Sequence, residues 1–387
     1  MNTAQRLEGI GEYYFSQKLR EIDLLNKQGK NIINLGIGSP DLAPHPTVIE
    51  FLNSESAKPN VHSYQNYKGS SVLRRAIAAF YKKWYNVPLD ADRNILPLIG
   101  SKEGIMHICM AYLDIGDVAL VPNPGYPTYS NAVKLAGGTV LTYELNEENN
   151  WQPDFKEISE NDLSRVKLMF VNYPHMPTGQ LPDILALEKL INWAKTNGIL
   201  LIHDNAYSFI LNDQPRSLLA LPGAKDCVLE LNSISKSHNM AGWRVGMLCG
   251  TEERIDEVLR FKSNMDSGMF LPVQLAAAKA LELDENWFSE LNEVYKKRRE
   301  LVWKLADLLN CTYSSQQAGL FVWAKIPDTM ENSYQLSDEI LHECSVFITP
   351  GGVFGNGGEK YIRISLCATE ATISEAIKRI DSAKKNR

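Results

Sequence analysis

The 387-residue sequence contains no apolar run long enough to cross a bilayer, and its opening MNTAQRLEGIGEYYF lacks the basic region followed by an apolar stretch that marks an export signal. Those absences predict a cytoplasmic protein with no membrane partner. Cysteine is sparse and unpatterned: six residues, at 109, 227, 249, 311, 344 and 367, form no CxxC pair and have no histidine at metal-ligand spacing. A disulfide framework and a structural metal site are thereby excluded, and the thiols are expected to be reduced core residues. The formal charge of −6 is mixed in sign along the chain, so no basic stripe is present for a nucleic-acid backbone. Repeats, low-complexity stretches and flexible linkers are also missing, which predicts that the parts of the chain pack closely.

What is present is an alternation. Strand-like apolar runs such as IINLGIG, VALVP, VKLMFVNYP, GILLIHDNAY and CVLELNSIS are interleaved with helix-like stretches such as SVLRRAIAAFYKKWY and ALEKLINWAKTNG. This rhythm predicts an α/β fold with a mainly parallel sheet between helices. Polar residues stand where the strands end: Asn123, Asn172, Asp204, and Ser233 to Lys236. In open α/β sheets ligands bind at the carboxyl ends of strands, so these positions are expected to share one crevice. From about residue 285 a long charged helix and short strands replace the alternation, predicting a smaller α+β domain.

The most specific signal is Ser233-Ile-Ser-Lys236 followed by Asn239-Met-Ala-Gly242-Trp-Arg244-Val-Gly246. A lone lysine after a strand is ordinarily a solvated charge. Here hydroxyls and an arginine bracket it, as expected where an amine forms an imine beside a doubly charged phosphate, and the glycines let backbone approach a ligand. The block resembles the pyridoxal 5′-phosphate (PLP) lysine signature of the fold type I aminotransferases, which include aspartate aminotransferase. The resemblance implies that Lys236 carries the cofactor and that Ser233 and Arg244 bind its phosphate.

Other motifs follow in the family's order from about Tyr13 to Arg363. His203-Asp204-Asn-Ala-Tyr207 resembles the DxxY element in which the acid pairs with the protonated ring nitrogen and the tyrosine donates to the ring oxygen O3′. Gly100-Ser101-Lys102 opens a helix, a ready anion site, and by resemblance holds the phosphate mainly through amides. Tyr126, in the proline-rich segment around Pro122-Asn-Pro-Gly, is implied to stack on the cofactor ring. Tyr64 resembles the family tyrosine that reaches the phosphate of a neighbouring subunit, and Lys262-Ser-Asn-Met-Asp266-Ser-Gly268 looks like a cross-subunit loop whose wording is nearest to LL-diaminopimelate aminotransferases. Both imply a homodimer with shared active sites. Arg363, inside the apolar run YIRIS, needs a buried anion and matches the family's clamp for the substrate α-carboxylate. Tyr13 and the backbone at Ile37 and Gly38 are implied to contact substrate. The family pattern places residues 45–284 in a large cofactor-binding domain and residues 1–44 with 285–387 in a small one.

One position departs. Where the family reads NPHNPTG this chain has Asn172-Tyr-Pro-His175-Met176-Pro-Thr-Gly179, so a methionine replaces the asparagine that donates to O3′, and a thioether cannot donate. The expected reaction is a ping-pong amino transfer between an L-amino acid and a 2-oxo acid. The KSNxDSG wording favours a diaminopimelate-type or dicarboxylic substrate, while the many tyrosines and Met176 equally fit an aromatic 2-oxo acid or prephenate. A PLP-dependent C–S β-lyase shares the same lysine, aspartate and arginine. A PLP-binding regulator is disfavoured because no DNA-binding extension precedes residue 13.

Overall fold

A computed structural model describes residues 3–385. A short strand, β1 (Ile33–Asn34), precedes the seven strands of the main sheet: β2 (Ile95–Leu98), β3 (Val118–Asn123), β4 (Thr139–Glu144), β5 (Val166–Asn172), β6 (Leu200–Asp204), β7 (Val228–Ser233) and β8 (Gly246–Cys249). Their spatial order is β2-β8-β7-β6-β5-β3-β4. All neighbouring pairs are parallel except those made by β8, which runs antiparallel to both β7 and β2.

The sheet is covered on both faces, which is why its strands read as continuous apolar runs. Along β5, Met169 and Val171 enter one core while Leu168 and Phe170 enter the other; along β6, Leu201 faces the first and Leu200 and Ile202 the second. The order of strands reverses between β3 and β5, the place where an open α/β sheet leaves a crevice. Asn123, Asn172, Asp204 and Ser233 end their strands on that side, and Asn172 lies directly beside Asp204 in the register.

The C-terminal part begins with the helix Glu285–Leu308, capped by the Asp284 side chain on the Asn286 amide. It continues with β9 (Thr312–Tyr313), β10 (Phe321–Lys325), β11 (Val346–Phe347), β12 (Thr349–Pro350) and β13 (Tyr361–Ser365). β12, β13, β10 and β9 form an antiparallel sheet, and β1 pairs in parallel with β11. Residues from both chain ends thus share one core, in which Phe15, Ile33 and Leu35 pack with Trp323, Ile362 and Ile364. Asp41 adds a bidentate contact to Arg298 at 2.6 and 2.9 Å. The loop carrying Ile37 and Gly38 is therefore fastened on both sides.

No disulfide joins the cysteines among the described residues. No helix among them is long and apolar enough to cross a membrane. The observed α/β architecture is the one the alternation of apolar runs predicts.

Gly246 starts β8 where a Cβ would lie 2.6 Å from the Ser101 amide nitrogen and 2.8 Å from the Gly100 carbonyl carbon. Backbone cannot yield as a side chain does, so Gly246→Ala is expected to lose about 1–3 kcal/mol of stability by overpacking, read as a lower urea midpoint. A midpoint equal to that of the parent protein would show that the turn and the strand are less tightly apposed.

Candidate active site

A cavity of about 420 Å³ lies at the ends of β5 and β6. Its wall contains Tyr13, Ile37, Gly38, Ser101, Lys102, Tyr126, Met176, Asp204, Tyr207, Lys236 and Arg363. With Asn172, which also lines it, twelve of the residues singled out in the sequence meet in one place, although Tyr13 and Arg363 are separated by most of the chain.

Asp204, the last residue of β6, is 7% exposed. Its Oδ2 accepts a hydrogen bond from the Tyr129 hydroxyl at 2.9 Å, while Oδ1 has no partner among the described residues. Burial pushes the carboxyl pKa up to about 6, against the lowering effects of the Tyr129 hydrogen bond, His203 and Lys236. Its backbone is also held: Asn172 Nδ2 donates to the Asp204 carbonyl at 2.5 Å and Asn172 Oδ1 accepts from the Met176 amide at 2.7 Å. Behind it, His203 Nδ1 is 2.8 Å from Glu230 Oε2 and Nε2 is 3.1 Å from the Tyr173 carbonyl. Ser217 and the Leu218 amide donate to the same Glu230 oxygen, so this buried carboxylate is fully engaged.

Lys236 lies in the short helix Ile234–Ser237 that follows β7. Its ammonium donates to the Gly38 carbonyl at 2.6 Å, and burial lowers its pKa from the ordinary lysine range. Opposite, Arg363 on β13 is 5% exposed and forms no ion pair with any described residue. Its Nη2 donates to the Gly36 carbonyl at 2.9 Å, its Nη1 is 3.3 Å from the Met176 sulfur, and its Nε has no partner among the described residues. The guanidinium carbon sits 3.8 Å from the centre of the Phe321 ring and 4.6 Å from that of Phe354. Burial brings its pKa down to about 10. Gly38 has to be glycine here, because a Cβ would collide with the Phe321 ring.

At the remaining side of the cavity, Gly100, with φ of 85°, opens the helix Ser101–Tyr112 without a side-chain cap, so its first amides are free for an anion. Arg244 packs against Gly100 so closely that a Cβ there would strike the guanidinium. Lys102 has its ammonium 5.1 Å from the Tyr13 ring centre, and burial followed by the charge of Arg244 lowers its pKa. Tyr126 meets Tyr129 edge to face at 5.5 Å. Tyr207 meets Phe321 in the same manner at 6.1 Å, and burial raises the pKa of its hydroxyl.

Ser233, Arg244 and Tyr64 do not line this cavity. The Ser233 hydroxyl donates to the Val245 carbonyl at 3.1 Å, lies 2.9 Å from Ser235 Oγ and accepts from the Ser235 amide, so it caps its own helix. Tyr64 is 91% exposed on the outside of the chain. Tyr129 is the functional residue that motif reading passed over. It stands three residues after Tyr126 on the helix Pro127–Leu135, a spacing that puts both rings on one face and was the available signal.

Because folding raises the Asp204 pKa, its contribution to stability is fully present below about pH 4 and is lost as pH rises through about 6. In cofactor-free protein, Asp204→Asn is therefore expected to match the parent near pH 4 and to exceed it by about 1–3 kcal/mol at pH 7.5. Urea unfolding at the two pH values checks this; a mutant less stable than the parent at pH 7.5 would contradict the desolvation argument.

Comparison with known proteins agrees with this geometry. Residues 30–380 match the family model described as aminotransferase class I and II. The chain is 39% identical over 385 residues to the LL-diaminopimelate aminotransferase of Halothermothrix orenii, covering 99% of each protein. It is 38% identical over 382 residues to the enzyme of that name from Natranaerobius thermophilus, covering 98% of this chain and 99% of the relative. Among solved structures it resembles apo-BacF from Bacillus subtilis with a TM-score of 0.95 and 37% identity, over 100% of this chain and 99% of the other. The chain belongs to the class I and II aminotransferases, a PLP-dependent family of fold type I.

Proposed function

We propose that the cavity holds pyridoxal 5′-phosphate and moves amino groups between an L-amino acid and a 2-oxo acid by a ping-pong mechanism. The observation that carries this reading is the buried Asp204, whose Oδ1 has no partner among the described residues, in the same cavity as Lys236 and an arginine with no described counter-ion. Bound there, the cofactor supplies an acceptor for the electron pair left when the substrate Cα–H bond breaks. Asp204 Oδ1 would pair with the protonated ring nitrogen, the Tyr207 hydroxyl would serve O3′, and the Tyr126 ring would pack on the pyridine. The Ser101 and Lys102 amides with Arg244 would hold the phosphate, and Ser233 shapes that turn through its cap.

Lys236 would hold the cofactor through its Nζ, and the same amine is the group placed to accept the proton from the substrate Cα; its lowered pKa suits an amine that must be neutral to do so. Arg363 clamps the α-carboxylate, Tyr13 and the Ile37–Gly38 backbone close over the substrate, and Met176 contributes a weak sulfur contact to Arg363 in place of a donor to O3′. The names of the relatives make LL-diaminopimelate one substrate to assay. Residues 1–44 and 285–387 act as the small domain and 45–284 as the large one, a division supported by the core that both chain ends share.

The functional unit in this reading is a homodimer. Tyr64, Tyr67, Met265 and Phe270 are 91, 47, 62 and 44% exposed, and the two segments bearing them touch where Lys262 Nζ meets the Tyr67 carbonyl at 3.3 Å. A second copy would cover this patch and place Tyr64 at the neighbouring phosphate.

Borohydride reduction of the yellow holoenzyme followed by peptide mapping is expected to find the cofactor on Lys236, and Lys236→Ala to remain folded but lose the visible band. Cofactor recovered on another lysine would overturn the assignment, and pyruvate released from cystathionine without amino transfer would indicate a C–S lyase. Mixing Tyr64→Phe with Lys236→Ala is expected to restore activity, because a hybrid dimer contains one site free of both defects. Hybrids shown to form yet remaining inactive would contradict shared sites.

A further inference from the structure

Resting on the transaminase reading above, we infer that His203 is a positioning residue for that reaction: a doubly protonated imidazolium, paired with Glu230 behind Asp204, that keeps the Asp204 carboxyl ionised towards the cofactor ring nitrogen. The argument starts from the hydrogen bonds of the imidazole. Its Nε2 faces the Tyr173 carbonyl at 3.1 Å, and a carbonyl only accepts, so Nε2 carries a proton. Its Nδ1 faces Glu230 Oε2 at 2.8 Å, and one proton lies between them. The other partners of Glu230 decide which side holds it. The Ser217 hydroxyl accepts from the Leu219 amide at 3.1 Å and gives its own proton to Glu230 Oε2 at 2.7 Å, and the Leu218 amide donates to the same oxygen at 3.1 Å. An oxygen that receives these two further donors is that of a carboxylate, not the hydroxyl of a protonated acid, so the shared proton belongs to His203. Both ring nitrogens are then donors, and the two side chains form a buried imidazolium–carboxylate pair.

The pair lies outside the cavity wall and is closed off within one chain, His203 being 1% and Glu230 0% exposed, so a second copy adds no contact to either. The two residues are direct neighbours in the register of β6 and β7, and the Tyr173 carbonyl follows the end of β5, so the imidazolium ties three strand ends together. Asp204 comes next on β6 and turns to the opposite face, where the Tyr129 hydroxyl is the donor to its carboxyl among the described residues. An anion is required at that position, because a protonated acid would not hold a proton on the ring nitrogen. Burial opposes ionisation and raises the Asp204 pKa to about 6, while Tyr129, His203 and Lys236 lower it. Of these three, Tyr129 is neutral and Lys236 gives up its charge when its amine reacts. His203 is the cation that stays throughout. Its counter-ion Glu230 stands one strand further away, on β7, so the nearer charge at Asp204 is the positive one.

Nuclear magnetic resonance on the full chain tests this. In cofactor-free parent protein labelled with nitrogen-15 histidine, both ring nitrogens of His203 are expected to be bonded to hydrogen at pH 7.5; one unprotonated nitrogen would overturn the inference without any substitution. In holoenzyme loaded with cofactor labelled with nitrogen-15 in its ring, the parent is expected to give a pyridinium signal. His203→Gln, which keeps a donor towards Glu230 but carries no charge, is expected to move that signal towards neutral pyridine while the cofactor stays on Lys236. The kcat for amino transfer is expected to fall by about tenfold with KM little changed, because the weakened electron acceptor acts on the proton-transfer step and not on binding. A histidine with a structural role alone would lower the urea midpoint of the variant and leave the ring-nitrogen signal as in the parent. That result would overturn the inference while leaving the transaminase reading intact. A parent holoenzyme that transfers no amino group from any donor would instead remove the transaminase reading itself.

Discussion

Burying the Arg363 guanidinium with no carboxylate beside it is the constraint around which the cleft is arranged. Removing a cation from water costs several kcal/mol, and the ring faces of Phe321 and Phe354 at 3.8 and 4.6 Å return only part of that, about 0.5–2 kcal/mol each. The Gly36 carbonyl and the Met176 sulfur take two of the five donors, and Nε has no partner among the described residues. Holding this unsettled charge in place needs the β13 strand, the β10 aromatics and the N-terminal loop together. The first and last parts of the chain supply these pieces from one shared apolar core.

A second tension stands across the cavity. Asp204 is a carboxylate whose ionisation burial resists, its pKa raised to about 6, and several layers hold it in place. Tyr129 donates to it, Asn172 fixes its backbone, and the His203 ring behind it is anchored by Glu230, which Ser217 and the Leu218 amide also satisfy. The chain thus places an anion and a cation on opposite walls, each incompletely satisfied by the protein alone. Such a pair is suited to a ligand that carries both signs.

Much of this arrangement was legible in the sequence because it depends on strand ends. Apolar runs that stop at Asn172, Asp204 and Ser233 locate the crevice, and the SxSK, DxxY and RIS elements identify what faces it. Contacts that depend on side-chain direction were not legible. The Tyr129 hydroxyl reaches Asp204 over 75 residues, and the Met176 sulfur meets Arg363 over 187, distances at which periodicity carries no information. Ser233 shows the opposite limit: its residue type signals a phosphate ligand, while its hydroxyl is engaged with Val245 and Ser235 as a helix cap. Met176 was visible as a departure, and its consequence required knowing that the guanidinium lies against it.

The two glycine carbonyls of the N-terminal loop give the cleft a further property. Gly36 accepts from Arg363 and Gly38 accepts from Lys236, so the loop's own oxygens occupy the two cationic groups that an incoming amino acid would address. The backbone acts as a built-in surrogate for a carboxylate at Arg363 and for a partner at the amine of Lys236, keeping both groups oriented. A newcomer therefore trades one set of hydrogen bonds for another at nearly equal number, and its advantage comes from net charge, which a peptide carbonyl lacks. The exchange leaves the hydrogen bonds of the two cations nearly balanced, so what an incoming anion adds at Arg363 is its charge.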